Sequence, residues 1–403
     1  MNKNIKLAVA GAVLALSASA ANAGIIIPAG EWTLDVNGNV NAFVINSRAK
    51  DANDITGGLA TTKDTANERS GQGINTGLLP AWLGFTGTTR QNDVDVSFTI
   101  SIQPNVSDNA VSGDVKSPLF RQSFVTFGDK SWGSIKLGKD IGIFASDAIL
   151  NDMTLLGVGA GGRTSGGSTT LGGIGSGYIY AGWKGQATYT TPNMNGFQAT
   201  VGITNPNQGV TGTGVTTTVT DLNQDRFGLE GKASYSFAAN DVTGKVWVGG
   251  ASYKVKPNLT NEYTASVYDI GANVNAAGFG LTGYYYKGEG VGSYMMLNNG
   301  VSVAGSKRDS DGGYVQLTYV TPFKTKLGVA YGISSLDAAD ATDAALAATA
   351  KTFKDNERIT IGAYHPLTKH LNLVAEYNNI ESKAQNGLKN ESNSVSLGAI
   401  LFF

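Results

Sequence analysis

The stretch from Val94 to Gln103 reads VDVSFTISIQ, with Val94, Val96, Phe98, Ile100 and Ile102 on one side of an extended chain and Asp95, Ser97, Thr99, Ser101 and Gln103 on the other. Alternation with a period of two marks a strand with one apolar and one wet face. It recurs from Trp32 to Val44, where Trp32, Leu34, Val36, Val40 and Val44 oppose Thr33, Asp35, Asn37, Asn39 and Asn41. The sequence also ends on it, with Val395, Leu397, Ala399, Leu401 and Phe403 sharing a face. Such runs of about ten residues exceed the five or six usual in soluble sheets and match the length that crosses a bilayer when tilted.

The same reading places strands at Leu79–Thr88, Phe120–Phe127, Gly133–Lys139, Tyr178–Thr190, Gly196–Thr204, Asp225–Phe237, Val242–Lys254 and Tyr263–Ala276. Others fall at Phe279–Lys287, Gly313–Val320, Lys324–Ser334, Glu357–Tyr364 and Leu371–Ile380, which brings the total to 16. Short turns at 90–92, 128–132, 192–195, 238–241, 277–278, 321–323 and 366–370 alternate with long polar connections. A soluble sandwich has no reason to gather every long loop at one end, whereas a membrane barrel does. Aromatics near the strand ends, Trp32, Trp82, Trp183, Tyr189, Tyr235, Tyr263, Tyr319 and Tyr377, suit interfacial girdles.

Composition agrees. Of 403 residues 15% are charged and 54 are Gly, against norms of roughly 25% charged and 7% Gly in soluble chains. A closed barrel in lipid pairs every backbone N–H and C=O without an edge, and its wet lumen needs no filling side chains. The formal net charge of −1 supplies no basic field for nucleic acid. The absence of Cys excludes disulfides, thiolate metal sites and thiol nucleophiles, so neither a cofactor nor a metal is expected. Catalysis is disfavoured on inventory, because the two histidines, His365 and His370, bracket one short turn and no GxSxG occurs. Residues 1–23 read as a cleaved signal peptide: Lys3 and Lys6, then an apolar run from Leu7 to Leu16, then Ala21-Asn22-Ala23. The barrel domain is then 24–403. Asp337, Asp340 and Asp343 fall in an Ala-rich stretch that reads as a helical turn in a loop rather than a cation site.

The segments WLGFTG (82–87), RQSFVTFG (121–128), WGSIKLGK (132–139) and YTTPNMNGF (189–197), with a terminal Phe403, resemble the Gram-negative general porins. The resemblance implies an all-β, 16-stranded antiparallel transmembrane barrel in the outer membrane, with short periplasmic turns, long extracellular loops and a third loop folded into the lumen. It further implies a homotrimer, passive diffusion of ions and small hydrophilic solutes, contact with outer-membrane lipid and lipopolysaccharide, and a barrel-assembly role for Phe403.

The third loop would be 140–177, whose aliphatic first half (Ile141 to Leu156) suits packing against an inner wall. It offers Asp140, Asp147 and Asp152 to the lumen. Strand parity turns Arg121, Lys136, Lys184, Arg226 and Lys232 inward with Glu230 and Asp95, and also Lys245, Lys326, Arg358, Asp35 and Glu376. Cations outnumber acids in that set, which points to weak anion preference. Two alternatives stand beside this reading. A substrate-selective channel for small carboxylates would show saturable block, and a plugged adhesin barrel would insert without conducting.

Overall fold

The protein is described by a computed structural model covering residues 24–403 except 65, 105, 107–118, 162–168, 206–225 and 257–261. The signal-peptide reading therefore lies outside the described residues. Its strands are β1 (Ile25–Ala29), β2 (Trp32–Ala49), β3 (Ser70–Asn75), β4 (Trp82–Gln91), β5 (Val94–Gln103) and β6 (Leu119–Asp129). There follow β7 (Gly133–Ile141), β8 (Trp183–Thr190), β9 (Phe197–Thr204), β10 (Gly228–Ala239), β11 (Val242–Val255) and β12 (Tyr263–Ala276). The last six are β13 (Phe279–Glu289), β14 (Asp309–Val320), β15 (Lys326–Leu336), β16 (Phe353–Pro366), β17 (Leu371–Ala384) and β18 (Lys389–Phe402).

From β4 each strand pairs antiparallel with the next through β18, and β18 pairs back onto β2 from Phe402↔Asn39 to Ser392↔Ala49. With β2–β4 this closes a barrel of 16 strands. Closure leaves no sheet edge to satisfy in lipid. At the seam Gly38 N–H donates to the Phe403 carbonyl at 2.7 Å and Phe403 N–H returns to the Gly38 carbonyl at 3.1 Å. Gly38 is required there, since a Cβ would stand 2.2 Å from the Trp82 carbonyl oxygen.

Alternation decides which side chains face lipid. Along β2, Val40, Ala42 and Val44 are exposed on the outer wall, while Asn39, Asn41, Phe43, Ile45 and Ser47 are buried inside. The strands β9 to β18 likewise present Val201, Val248, Ile270, Leu281, Leu317, Val329, Ile361, Leu373 and Leu397 outward. Tight turns close one end. Asn92 and Asp93, and Ala277 and Gly278, have positive φ at both corner positions, the backbone that matches strand twist in two-residue hairpins.

All 16 strands read from the alternation occur, several of them running a few residues further at one end or both, and four other differences bear on the interior. First, two short strands carry no long alternation: β1 extends the seam edge of β2 beyond Phe403, and β3 pairs with the long-loop half of β2. Second, residues 76–81 separate β3 from β4, so the strand expected from Leu79 begins at Trp82. Third, the strand expected from Tyr178 begins at Trp183, because Tyr178 is held in the third loop by Asp152. Fourth, the strand expected from Asp225 begins at Gly228, leaving Arg226 exposed at the rim.

Two face assignments also change. Tyr263 is buried against the loop-filled interior and is not a girdle residue. Arg121 faces outward: both parities of β6 carry Phe and polar residues, and the inward one is fixed by Gln122, which bonds Ser101 and Asp140, and by Phe124, which lies under Lys136.

Candidate constriction site

The third loop leaves β7 at Ile141 and returns at β8, and within it lie helix α1 (Ser146–Asn151) and a 3-10 turn (Met153–Leu156). Its apolar residues Phe144, Ala148, Ile149, Leu155, Tyr178 and Ile179 pack on Trp247, Tyr253, Tyr284, Tyr286 and Tyr314 of the inner wall. Further along, Met153 and Val158 pack on Phe43, Ile45, Tyr364 and Val374. The loop therefore lies inside the barrel, along the inner wall from β10 round to β2. The connection 290–308 joins it, placing Val291, Met296, Leu297 and Val301 in the same apolar cluster. These aliphatics are the reason the loop folds inward: left outside they would meet water, and inside they bury area against wall aromatics at about 25 cal/mol per Å².

Polar contacts fix its position. Glu230 on β10 accepts the amides of Ile143 (2.7 Å) and Phe144 (2.9 Å), and also bonds the Lys184 ammonium and the Tyr253 hydroxyl. Glu376 on β17 accepts the amides of Val158 (2.9 Å) and Gly159 (2.8 Å) and the Tyr364 hydroxyl (2.7 Å). A Cβ at Gly157 would lie 1.9 Å from Glu376 Oε1, so any larger residue here must push the carboxylate away from the loop amides. Between these points Gln316 accepts from Met153 N–H at 2.9 Å and donates to the Asn151 carbonyl at 2.7 Å. Backbone amides bonded to carboxylates are charge-assisted and stronger than neutral pairs.

The loop's own acids answer the wall bases. Asp147 on α1 sits between Lys232 (2.9 Å) and Lys245, so the helix is pinned to β10 and β11. Burial opposes ionisation of its carboxyl, but the two ammonium groups outweigh it and hold the group below the ordinary carboxylate range. Asp152 caps the 3-10 turn by accepting from Thr154 N–H at 2.9 Å, accepts Tyr178 O–H at 2.8 Å and Gly173 N–H at 2.9 Å, and faces Arg358 Nη2 at 3.6 Å. Asp140 pairs with Lys136 and accepts from Gln122 at 3.1 Å.

Exposure differs within the pairs that Asp140 and Asp147 make, whereas Lys184–Glu230 and Arg358–Asp152 are buried on both sides. The side chain of Lys136 is 31% exposed against 7% for Asp140, and those of Lys232 and Lys245 are 25% and 14% exposed against 4% for Asp147. The acid is inside and the lysine meets the passage.

Of the residues anticipated from sequence, the fold brings Lys232 to Asp147, Lys184 to Glu230 and Lys136 to Asp140 on adjoining strands and the loop between them. Asp152 lies further along the loop with Arg358. Three others stand apart. Asp95 is on the inner face but at the short-turn rim, bonded to Arg90 at 2.8 Å. Arg226 is at the long-loop rim, 3.6 Å from Glu262, and Arg121 is on the outer wall. Strand parity already turns Glu376 inward, but it does not single out Tyr253, Gln316 or Tyr178. For Glu376, nothing in the sequence says which loop amides it accepts.

A barrel of this count, with its third loop fastened inside, defines a diffusion channel. The sequence profile described as Gram-negative porin matches residues 9–385, and the chain belongs to that family. It is an outer-membrane porin, so the short-turn end is periplasmic and the long-loop end extracellular. The outer membrane channel DcaP of Acinetobacter baumannii superposes with TM-score 0.69 at 18% identity, over 94% of this chain and 100% of that one. OmpF of Salmonella typhi, solved with daunomycin, gives 0.59 at 14% identity over 94% and 100%. A trimer form of OmpT from Vibrio cholerae gives 0.54 at 13% over 92% and 99%. No curated protein sequence matches the chain.

Proposed function

We propose that ions and small hydrophilic solutes diffuse through a passage narrowed by the third loop, residues 140–177, with a weak preference for anions and no chemical step. The observation that carries this is the asymmetry of the buried pairs: Lys136, Lys232 and Lys245 face the passage while their acids are buried. The sequence count of cations over acids is not itself the reason, because Asp140 at the end of β7 and the loop acids Asp147 and Asp152 offset it. What an ion meets is the exposed member of each pair, and its field reaches only about 8 Å at physiological salt. We further propose a homotrimer whose outer wall meets outer-membrane lipid and lipopolysaccharide, supported by family membership.

Single-channel recording of the mature protein in a planar bilayer under a KCl gradient tests the reading. Openings in threes with a reversal potential displaced toward chloride are expected. A displacement toward potassium overturns the anion preference, and silence from inserted barrels overturns the channel in favour of a plugged surface barrel. Saturable block by small carboxylates would instead mark a substrate-selective channel.

A further inference from the structure

Below the constriction, the inner wall carries a cavity of about 910 Å³ at the periplasmic ends of β2 and of β4 to β9, with no described residue of the third loop in its lining. That volume falls within the range of about 300–1,000 Å³ usual for small-molecule sites. Asp95, which stands apart from the constriction, belongs to this lining. The register builds the wall. Thr33, Thr88, Ser97 and Thr126 stand opposite one another across β2, β4, β5 and β6. The next row toward the periplasm is Arg90, Asp95, Gly128 and Ser134. Opposed side chains lie about 5 Å apart and alternate rows about 7 Å apart, so these polar groups form a close lattice. Gly128 leaves the floor bare between Asp95 and Ser134, and a Cβ there would stand 2.3 Å from the Gly133 carbonyl oxygen.

Hydroxyls inside the cavity differ from those around it. One row toward the constriction Thr86 and Thr99 bond each other at 3.0 Å, and to the side Thr190 and Thr200 do the same. Among the described residues the hydroxyls of Thr33, Ser97, Thr126 and Ser134 have no hydrogen-bond partner, and all four residues line the cavity. Asp95 gives Arg90 only Oδ1, at 2.8 Å, which leaves Oδ2 as an acceptor.

Charge decides what such a surface takes. Arg90 also donates to Asp129 at 3.0 Å and has Asp93 at 3.8 Å, so its fork is taken up by acids. Glu31, Asp95 and Asp129 outnumber Arg90 and Lys130 in the lining, which disfavours an anion. Ser and Thr hydroxyls both donate and accept, as solute hydroxyls do, and a threonine methyl offers apolar contact to ring C–H groups.

We propose that this cavity is a binding station for a neutral polyhydroxylated solute, a small saccharide, whose hydroxyls bond Ser97, Thr126 and Ser134 and donate to Asp95 Oδ2. The inference rests on the channel reading and names a solute class for it on the periplasmic side of the constriction.

The test uses the full mature protein in detergent micelles with sucrose as probe, binding being read by saturation-transfer NMR across a sucrose titration. Wild type is expected to transfer saturation to sucrose. The triple variant Ser97→Ala, Thr126→Val, Ser134→Ala should lose affinity on the order of tenfold, with Thr86→Val behaving as wild type. The reversal potential of the triple variant in a planar bilayer should not change, since no charge is altered. Equal sucrose affinity in wild type and triple variant overturns the proposal. Stronger transfer to acetate or to methylammonium than to sucrose also overturns it and makes the cavity an ion site. Failure of the channel reading would show separately, as absent conductance in wild type, while saturation transfer still reports on the cavity.

Discussion

Lys232 Nζ lies 2.9 Å from Asp147 Oδ2, joining the wall strand β10 to the helix of the third loop. Lys245 approaches the other carboxylate oxygen, so one buried acid serves two lysines that reach the passage. Asp147→Asn keeps the shape of the contact and removes its charge. The chloride-to-potassium permeability ratio should then rise by a factor of about two to five, because two lysines lose their counter-charge within a Debye length. The reversal potential under a KCl gradient reads this directly, and a shift toward potassium would contradict the assignment of these lysines to the passage.

The same contact predicts a flat pH response over a wide range. Despite burial, the paired ammonium groups hold the Asp147 carboxyl below its usual value of 3.8. A lowered folded value means the contact contributes stability above the unfolded value and loses it as pH falls through the folded one. This contact should therefore leave ion selectivity unchanged between pH 7 and pH 5 and alter it only below about pH 4. A selectivity titration comparing wild type with Asp147→Asn isolates the contribution: a midpoint near pH 6 that Asp147→Asn abolishes would refute the pairing.

What the sequence shows and what it hides follow from the solvent on each side. Lipid on the outer face forces Val, Leu and Ile onto alternate positions, so β2, β5 and β18 can be read residue by residue. Where both faces carry similar residues the signal fails. In β6 Phe120 and Phe124 share one face and Val125 and Phe127 the other, so parity alone turns Arg121 inward, whereas Gln122 and Phe124 take the inner face and turn it outward. The acids of the loop were legible as candidates, since Asp147 and Asp152 sit among aliphatics. Their partners were not, because Glu376 and Val158 are 218 positions apart and only closure of the barrel brings them together.

The loop's second fastening point can be released without touching the first. Glu376→Ala removes the acceptor of two buried amides, at a cost of about 1–3 kcal/mol for each amide left unpaired. Gly157→Ala forces the same separation from the other side by placing a Cβ against the carboxylate. Both variants should lower the thermal stability of the barrel and make single-channel currents larger and noisier, while Glu376→Gln, which still accepts, should lie between them and wild type. Quiet, unchanged currents from both Glu376→Ala and Gly157→Ala would show that this part of the loop does not bound the passage.

At the seam, the Phe403 main chain closes two hydrogen bonds with Gly38, and its ring would be 2.8 Å from any Cβ placed at Gly38. Deleting Phe403 removes both bonds and the terminal aromatic together. Gly38→Ala keeps the aromatic and disturbs only the closure. If the terminal ring is the assembly signal, outer-membrane yield should fall severalfold more on deletion than in Gly38→Ala, whose defect should appear chiefly as lower thermal stability of the folded barrel. Equal yields for the two variants would assign Phe403 a closing role alone.

The extracellular mouth carries a charge pair that tests how its loops are joined. Arg308, at the end of the connection 290–308, meets Asp343 of helix α2 (Ala341–Thr349) with Nε at 2.8 Å and Nη2 at 2.7 Å, and both side chains are about 2% exposed or less. Asp340 caps the same helix by accepting from Asp343 N–H at 2.8 Å, so these acids serve helix and pair rather than a cation. Removing one partner takes from the other buried charge this opposite charge, at a cost of about 3–5 kcal/mol, whereas removing both leaves neither member of the pair. Arg308→Ala and Asp343→Ala should therefore each lower the unfolding temperature more than the double variant does. Additive losses in that double-mutant cycle would mean that water reaches the pair and that the two loops move independently at the mouth.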